Sequence, residues 1–418
     1  MHNQAAIAAG TGRRALLAGM GGVGLATLAP REARAAAAAS DLEQWLNYRR
    51  RFVTAEGRVL DTGNGGISHS EGQGYGLLLS EAFDDRASFD RLLDWTRRTL
   101  LRPEGLHAWR FRPAAGTSWP VAGVDDFNNA SDGDIYIAWA LLRAADRWNS
   151  PDYARMGLQL SQAISRHLLL EVQGRMLLLP GANGFMADRR VVLNPSYYAF
   201  PALHALGHAS GDQRFQRVIQ DGVALLRTAR YGRWGLPADW LEVSATENNT
   251  PQPARSRPQR FSYDAVRVPL HLAWAGLGEE PAVEATRVFW TEAGGGLPPA
   301  WTDLRTGALG PERASGGVMA IARLAQQSRR GRPAVESLPV LAPNLDYYAS
   351  SLTLLARLAA QEAPPPGMAL LAPRSMAQVI QGPPAIGGAE KAAAAPKQEP
   401  VSFGRGVVRR MAGLLGAG

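Results

Sequence analysis

Apolar side chains recur at three- to four-residue spacing through most of the region between residues 75 and 360. One such stripe consists of Ile135, Ala138, Leu141, Leu142, Ala145 and Trp148. This spacing predicts amphipathic helices, and the segments are separated by Pro, Gly and Asn-Pro breaks. Strand-like alternation is scarce, although a short strand is expected around residues 175–180. The pattern therefore predicts an all-α protein with short strands in its loops.

A glycine-rich string with one acid, Ser-His-Ser-Glu-Gly-Gln-Gly-Tyr-Gly, occupies residues 68–76 just before such a helix. Ser70 and Gln73 have the spacing of a capping box, which predicts Ser70 as the N-cap and places Glu71 in the first helical turn. Glu71 there either stabilises the helix dipole or serves as a catalytic acid. The glycines, which let other chain segments approach, favour the catalytic interpretation.

A second string of the same kind, Ala-Ser-Asp-Gly-Asp, precedes the apolar stripe described above. Ser131 and Asp134 again fit the capping spacing, so Asp132 and Asp134 should lie in the first helical turn. A calcium loop is the alternative, but such a loop ends in a glutamate, and Arg143 stands at that position.

The third element, Tyr-Asp-Ala-Val-Arg-Val-Pro, places Asp264 three residues before Arg267. Pro269 disfavours a regular helix running straight through this segment. Either a helix begins near Val268 and leaves Asp264 on the preceding loop, or the helix bends there. A surface ion pair between Asp264 and Arg267 is the alternative without function.

Together, the strings at residues 70–76, 130–148 and 263–267 resemble glycoside hydrolase family 8, and the likeness extends over roughly residues 41–360. Within that family the chain is most similar to the secreted endoglucanases associated with bacterial cellulose synthase. The resemblance implies an (α/α)6 toroid of about twelve helices, whose inner-helix ends and loops form a long cleft.

The resemblance also implies roles for the acids. Glu71 would be the general acid and Asp264 the base of an inverting hydrolase, for which carboxyls about 6.5–9.5 Å apart are expected. Asp132 would be either catalytic or a residue that holds the sugar, and we expect the second. The helix dipole lowers the pKa of Glu71, so desolvation and repulsion from an Asp132 carboxyl within about 6 Å should raise it.

Sugar rings stack on flat aromatic faces while their hydroxyls reach polar groups. Trp109 and Trp119 are the candidate stacking platforms because they lie between the first two motifs. Trp95, Trp139 and Trp148 fall on apolar helical faces and are expected in the core. The remaining candidates for substrate binding adjoin the motifs and are Tyr75, Asp134, Tyr198, Tyr263 and Arg267.

Three segments are predicted along the chain. Residues 1–35 resemble a twin-arginine export signal, with ordinary secretion as the alternative, because Arg13 and Arg14 precede a short apolar stretch and a small-residue cleavage site. Residues 36–362 form the catalytic domain, and the Pro- and Ala-rich residues 363–418 form a flexible tail. The protein is therefore expected to be periplasmic or extracellular, and without cysteine it forms no disulfide.

The formal net charge of +8 does not indicate nucleic-acid binding. Residues 1–35 carry +3 and residues 363–418 carry +4, which leaves +1 for the body of the chain. A nearly neutral body attracts phosphate weakly. The seven histidines are scattered, so no metal and no cofactor are expected, and the protein is expected to be a monomer.

The leading functional prediction is an inverting endo-β-1,4-glucanase that acts on β-1,4-glucan chains, with the cellulose synthase machinery as a candidate partner. Xylanase, chitosanase and mixed-linkage glucanase activities remain open, because such enzymes share the catalytic frame and differ in their loops. A glycan-binding or cellulose-assembly factor without hydrolysis is the alternative from another class. Retention of all three acids favours the enzyme.

Overall fold

Eleven α-helices form the framework in the residues that the computed structural model describes, namely 29–115, 121–246, 250–293, 298–329, 331 and 333–364. Side chains are described from residue 40 onward. In chain order the helices are α1 (Ala29–Phe52), α2 (Ser70–Ala82), α3 (Arg86–Leu100), α4 (Ser131–Arg147), α5 (Pro151–Leu168), α6 (Phe200–Ser210), α7 (Gln213–Thr228), α8 (Arg267–Trp274), α9 (Pro281–Glu292), α10 (Gly316–Ser328) and α11 (Tyr347–Glu362).

The helices are arranged in two concentric layers. Helices α2, α4, α6 and α8 pack side by side in chain order, and α11 closes this inner ring by contacting both α8 and α2. Outside it, α3 packs on α2, α5 on α4, α7 on α6, α9 on α8 and α10 on α11, while α1 contacts α11 and α2. This arrangement confirms the predicted (α/α)6 toroid.

Of the inner helices, α2, α4, α8 and α11 are buried on most of their surface. Glycines let α2 and α4 approach closely at their first turns. A Cβ added at Gly74 would lie 2.7 Å from the Cβ of Tyr136, and one at Gly133 would lie 2.2 Å from the Oγ of Ser70. The glycines of the first two motifs therefore bring the two acid-bearing helix ends together.

Eleven short strands lie in the connections between the described helices. They are β1 (Ser68–His69), β2 (Ala108–Arg112), β3 (Gly123–Asn129), β4 (Leu169–Val172), β5 (Arg175–Leu178), β6 (Met186–Ala187), β7 (Arg190–Leu193), β8 (Leu241–Ser244), β9 (Gln252–Pro253), β10 (Arg260–Phe261) and β11 (Thr302–Asp303). All pairings are antiparallel, in the orders β1-β2-β3, β4-β5, β6-β7-β8-β9 and β10-β11. Strand β5 confirms the strand expected near residue 175.

The predicted N-caps were wrong by one residue. Helix α2 begins at Ser70 and is capped by His69, whose Nδ1 accepts the backbone N–H of Gly72 at 3.1 Å. Helix α4 begins at Ser131 without a side-chain cap. The close approach of the two helices explains the difference, because it turns the Ser70 side chain toward Gly133 instead of its own backbone.

The N-terminal ends of α2, α4, α8 and α11 face one side of the barrel, where they meet in a cleft. Helix α8 begins at Arg267, so Asp264 lies on the preceding loop, as the first of the two sequence alternatives predicted. None of the described helices has both the length and the apolar character that a membrane span requires.

Candidate active site

A cleft of about 990 Å³ opens at this end of the barrel. Its floor contains the three acids singled out from the sequence, Glu71, Asp132 and Asp264, together with Arg267. Four aromatic residues line the cleft. Trp109 lies on β2, Tyr348 lies at the start of α11, and Tyr197 and Tyr263 lie in the connections between helices. Residues nearly 200 positions apart in the chain therefore meet at one site.

Arg267 connects the three acids. Its Nη1 donates to the carboxylate of Glu71 and, at 3.2 Å, to Oδ2 of Asp132. Its Nη2 donates to Oδ1 of Asp264 at 2.9 Å. The side chain is only 3% exposed, so the surface ion pair considered for Asp264 and Arg267 is instead a buried one.

Polar groups beneath the cleft fix the guanidinium. The hydroxyl of Tyr75 accepts from Nη1 at 3.1 Å, and Oγ of Ser196 accepts from Nη2 at 2.9 Å. Ser196 is held in turn by the side chain of Asn194, at 2.6 Å between Oγ and Oδ1. Arg267 therefore has a defined position before any ligand binds.

The carboxyls of Glu71 and Asp132 accept hydrogen bonds from the same nitrogen of Arg267. Two such bonds place their oxygens no more than about 6 Å apart. This confirms the predicted proximity of the two groups.

Burial and the negative charge of Glu71 raise the pKa of Asp132 well above the usual aspartate value. Burial also acts to raise the pKa of Glu71, but the charge of Arg267, that of His69 when it is protonated, and the hydrogen bond with Asp132 outweigh burial and lower that pKa. The expectation of a raised Glu71 pKa was therefore wrong. The sequence did not show that Arg267 binds Glu71 directly, and of the two carboxyls it is Asp132 whose pKa is raised.

Burial raises the pKa of Asp264 above the usual aspartate value, against the effect of the Arg267 charge. The backbone on both sides of Asp264 is held by Asp239, whose Oδ1 accepts the N–H groups of Ser262 at 2.8 Å and Ala265 at 2.9 Å. Burial and the charge of Asp264 raise the pKa of Asp239 to about 7.

Sequence reasoning missed Asp239, because no motif surrounds it and only the folded loop brings it beside Asp264. A buried aspartate 25 residues upstream carries no local pattern that identifies it.

Two of the predicted substrate-binding aromatic residues line the cleft. Trp109 lies on β2, with the Arg110 guanidinium 4.6 Å from the centre of its ring system. Tyr263 is 53% exposed at the cleft edge, and its carbonyl accepts a hydrogen bond from Tyr348. Trp119 lies outside the described residues.

Three other predicted substrate-binding residues have buried side chains and do not line the cleft. Tyr75 lies four residues after Glu71 on the same face of α2, which places it one turn deeper. Asp134 lies two residues after Asp132 and so faces away from it, with Oδ1 accepting from the backbone N–H of His107 at 2.9 Å. Tyr198 is 1% exposed.

The tryptophans predicted on helical faces do belong to the core. Trp95 and Trp139 are buried, and Trp148 packs against the core. Trp234 is also buried and packs against Phe289, with ring centres 4.9 Å apart.

Among the described residues no group of three His, Asp or Glu side chains is placed to hold a metal ion. The described site therefore offers carboxyl, guanidinium, hydroxyl and aromatic groups. These groups suit the binding of a sugar and the transfer of protons to and from it.

Comparison with known proteins gives consistent matches. A family model described as "Glycosyl hydrolases family 8" matches residues 23–362, a range that includes all three motifs. A probable endoglucanase of Novacetimonas hansenii is 39% identical over 322 residues, which are 77% of this chain and 91% of that protein. An endoglucanase of Cellulomonas uda is 37% identical over 279 residues, which are 66% of this chain and 75% of that protein.

A solved structure shows the same fold. The endo-beta-1,4-glucanase CMCax from Acetobacter xylinum superposes with a TM-score of 0.71 at 38% identity, covering 78% of this chain and 99% of that one.

Proposed function

This chain belongs to glycosyl hydrolase family 8, and we propose that it hydrolyses internal bonds of β-1,4-glucan with inversion, using Glu71 as the acid and Asp264 as the base. The protein is a glycoside hydrolase of the endo-1,4-β-glucanase type. The observation that carries the proposed roles is the convergence of Glu71, Asp132 and Asp264 on Arg267 at the floor of one cleft.

The acid must deliver a proton to the departing glycosidic oxygen. Glu71 lies at the cleft surface, 15% exposed, whereas Asp132 is 2% exposed behind it. The proton held by the pair can pass from Asp132 to Glu71 through their hydrogen bond, and from Glu71 to the sugar oxygen as the bond to the anomeric carbon breaks. Asp132 thereby supplies a proton that Glu71 alone, beside Arg267, would hold poorly.

The base completes the reaction. A water oxygen attacks the anomeric carbon as Asp264 takes one of its protons, so the new C–O bond forms on the face opposite the departing oxygen. The raised pKa of Asp264 makes its carboxylate a stronger proton acceptor than an ordinary aspartate. Throughout these proton transfers Arg267 stabilises the negative charge on the deprotonated carboxylates among Glu71, Asp132 and Asp264.

The cleft supports a glucan chain as the substrate. Its volume is about 990 Å³, and Trp109, Tyr197 and Tyr263 offer apolar faces beside polar groups. The endoglucanase names of the relatives favour β-1,4-glucan over the xylan, chitosan and mixed-linkage alternatives.

Reducing-sugar release from carboxymethyl cellulose tests this function. Glu71→Gln and Asp264→Asn should each lower the rate by about 10²–10⁴-fold, the usual contribution of general acid–base catalysis. Glu171→Gln, a change at an exposed glutamate on β4, is the matched control and should leave the rate unchanged. Near-normal release by Glu71→Gln would contradict the assignment, and equally negligible release by the wild type would leave only a glycan-binding role.

We also propose that residues 1–35 direct export and that residues 363–418 are dispensable for hydrolysis. Support for the second boundary is that α11 ends at Glu362 and the family match ends there too. Deletion of residues 363–418 should preserve both activity and melting temperature, and a large loss of either would place the tail within the fold. An N-terminal sequence of the exported protein starting near residue 36 would support the signal.

The proposed setting is bacterial cellulose synthesis outside the cytoplasm, with the enzyme acting as a monomer. Sedimentation of the purified protein would test the oligomeric state. Co-purification with the cellulose synthase machinery, compared between wild type and the tail deletion, would test the partner.

A further inference from the structure

His69, the residue that caps α2, stands two positions before Glu71 and contacts three separate segments. Its Nδ1 accepts the N–H of Gly72 at 3.1 Å, and its Nε2 lies 3.3 Å from Oδ2 of Asp61. Its ring meets the ring of Tyr347 edge-on, with centres 5.5 Å apart. These contacts fix both the position and the orientation of the imidazole.

The hydrogen-bond partners assign the tautomer of His69. A ring nitrogen that accepts a backbone N–H carries no proton itself, so the proton lies on Nε2 and is donated to Asp61. A doubly protonated ring would direct an N–H at the N–H of Gly72 and lose the cap. The cap therefore depends on a ring whose Nδ1 is unprotonated.

Asp61 is well placed to hold this tautomer. Its carboxylate is 5% exposed and accepts from the backbone N–H of Gly63 at 3.0 Å and from Nδ2 of Asn64 at 2.6 Å. Burial raises the pKa of Asp61, but the hydrogen bonds from His69, Asn64 and Gly63 outweigh it and lower that pKa. The carboxylate is thus a fixed acceptor for the Nε2 proton.

Glu71 lies between His69, which provides the cap, and Gly72, whose backbone N–H is capped. Its backbone is therefore confined by the bond from Gly72 to His69. Ser70 provides no substitute, since its Oγ is buried against α4 and has no hydrogen-bond partner. Without the imidazole, the first turn of α2 would lose its side-chain cap, and Arg267 would be the strongest remaining restraint on the Glu71 carboxyl.

We propose that His69, oriented by Asp61, is a positioning residue for the acid Glu71. By fixing the first turn of α2, it holds the Glu71 carboxyl where it can protonate the departing oxygen. This inference rests on the proposed function, because it assumes that Glu71 is the acid. Misplacement of a catalytic group by about 1 Å can lower a rate about 10²-fold, so loss of the cap should be visible in kcat.

Two substrates with different leaving groups separate acid positioning from general damage. An unsubstituted cello-oligosaccharide needs its leaving oxygen protonated, whereas the 2,4-dinitrophenyl glycoside of the same sugar releases a stable phenolate without a proton. Both need the base and the sugar subsites on the non-reducing side of the cleaved bond. A defect confined to the acid should therefore lower kcat on the first substrate and spare the second.

His69→Ala is expected to lower kcat on the cello-oligosaccharide about 10²-fold and to change kcat on the dinitrophenyl glycoside by less than about threefold. Glu71→Gln serves as the reference and should show the same pattern with a larger loss. His69→Asn keeps an oxygen that can cap Gly72, so it should recover most of the lost kcat. Melting temperatures of all three variants report on folding.

The outcomes are distinct. An equal loss on both substrates in His69→Ala, no loss on either, or a failure of His69→Asn to recover activity would each overturn the positioning role. If Glu71→Gln kept full activity on the cello-oligosaccharide, the proposed function itself would fail. A normal His69→Ala enzyme beside an inactive Glu71→Gln enzyme would reject only the role of His69.

Discussion

Two arginines, one buried and one partly exposed, contact carboxylates at opposite ends of the same barrel. Arg267 lies at the N-terminal ends of α2 and α4 and contacts Glu71, Asp132 and Asp264. Arg143 lies near the C-terminal end of α4, 11 residues after Asp132 and so roughly 17 Å away along the helix axis. Only the first cluster opens into a cleft described above.

The second cluster is balanced in charge. Arg143 donates from Nε to Glu81 at 2.5 Å and from Nη2 to Glu362 at 2.7 Å, and Arg147 donates to Glu81 at 2.6 Å. Trp274 adds a neutral donor to Glu362 at 3.1 Å. Two cations therefore meet two carboxylates, and the last turns of α2, α4, α8 and α11 are tied together.

The first cluster has three carboxyls for one cation. Burial, together with the excess negative charge, raises the pKa values of Asp132 and Asp264. Similar residue types on the same helices thus give a rigid tie at one end and proton-transfer groups at the other. The difference lies in the ratio of charges and in access to the cleft.

The largest expected contrast comes from the same substitution at both ends. Arg267→Lys should lower kcat/KM on β-glucan by at least about 10³-fold, because a single ammonium cannot reproduce the forked contacts to three acids. Arg143→Lys should keep kcat/KM within about threefold of wild type. Comparable losses of kcat/KM in the two variants, measured by steady-state kinetics, would contradict the distinction between a catalytic cluster at Arg267 and a structural cluster at Arg143.

Asp132→Asn tests the proposal that Asp132 supplies the proton that Glu71 transfers to the sugar. The variant should lose at least about 10²-fold in kcat/KM at neutral pH, and the falling limb of its pH profile should move to lower pH. The sign follows because Glu71 alone, with its pKa lowered by Arg267, gives up the proton earlier as pH rises. Asp94→Asn, at an exposed position on α3, should leave the profile unchanged. A falling limb that stays in place or moves upward would contradict the shared proton.

Arg143→Ala should act on stability and leave chemistry intact. Removing one partner of a largely buried ion network leaves Glu81 and Glu362 poorly paired, for which a loss of about 2–3 kcal/mol in unfolding free energy is expected. Chemical denaturation measures this loss, while kcat should stay within about twofold. The exposed Arg155→Ala should cost less than about 0.5 kcal/mol. A loss of kcat without a loss of stability in Arg143→Ala would contradict the structural role assigned to Arg143.

Removing one neutral hydrogen bond at each end should give the smallest effects. Tyr75→Phe removes a contact to Arg267 and should lower kcat about fivefold while KM stays unchanged, since the buried ring does not reach the cleft. Trp274→Phe removes the bond to Glu362 and should lower the unfolding free energy by about 1 kcal/mol without changing kcat. A clear rise in KM for Tyr75→Phe would restore it as a substrate-binding residue.

The sequence could predict that the three acids lie together, because each stands at or just before the start of a helix. In a ring of alternating inner and outer helices, the starts of the inner helices meet at one end, so local motifs become one site. Helical periodicity also separated Trp95 and Trp139 from the cleft correctly.

Adjacency to a motif was a poorer guide than position on the helix. Asp134 and Tyr198 each stand beside residues of the cleft, yet their side chains face the interior. The contribution of Asp239 and the pairing of Arg267 with Glu71 depend on segments far apart in the chain, which no local pattern encodes. The capping role of His69 likewise depends on the close contact of two helices.

The anomeric configuration of the first product tests the central claim most directly. Proton NMR of a cello-oligosaccharide digest, recorded within the first minutes before mutarotation, distinguishes the two anomers. If Glu71 and Asp264 act on opposite faces of the sugar with a water between them, the α-anomer must appear first. Initial accumulation of the β-anomer would contradict the assigned roles of both residues.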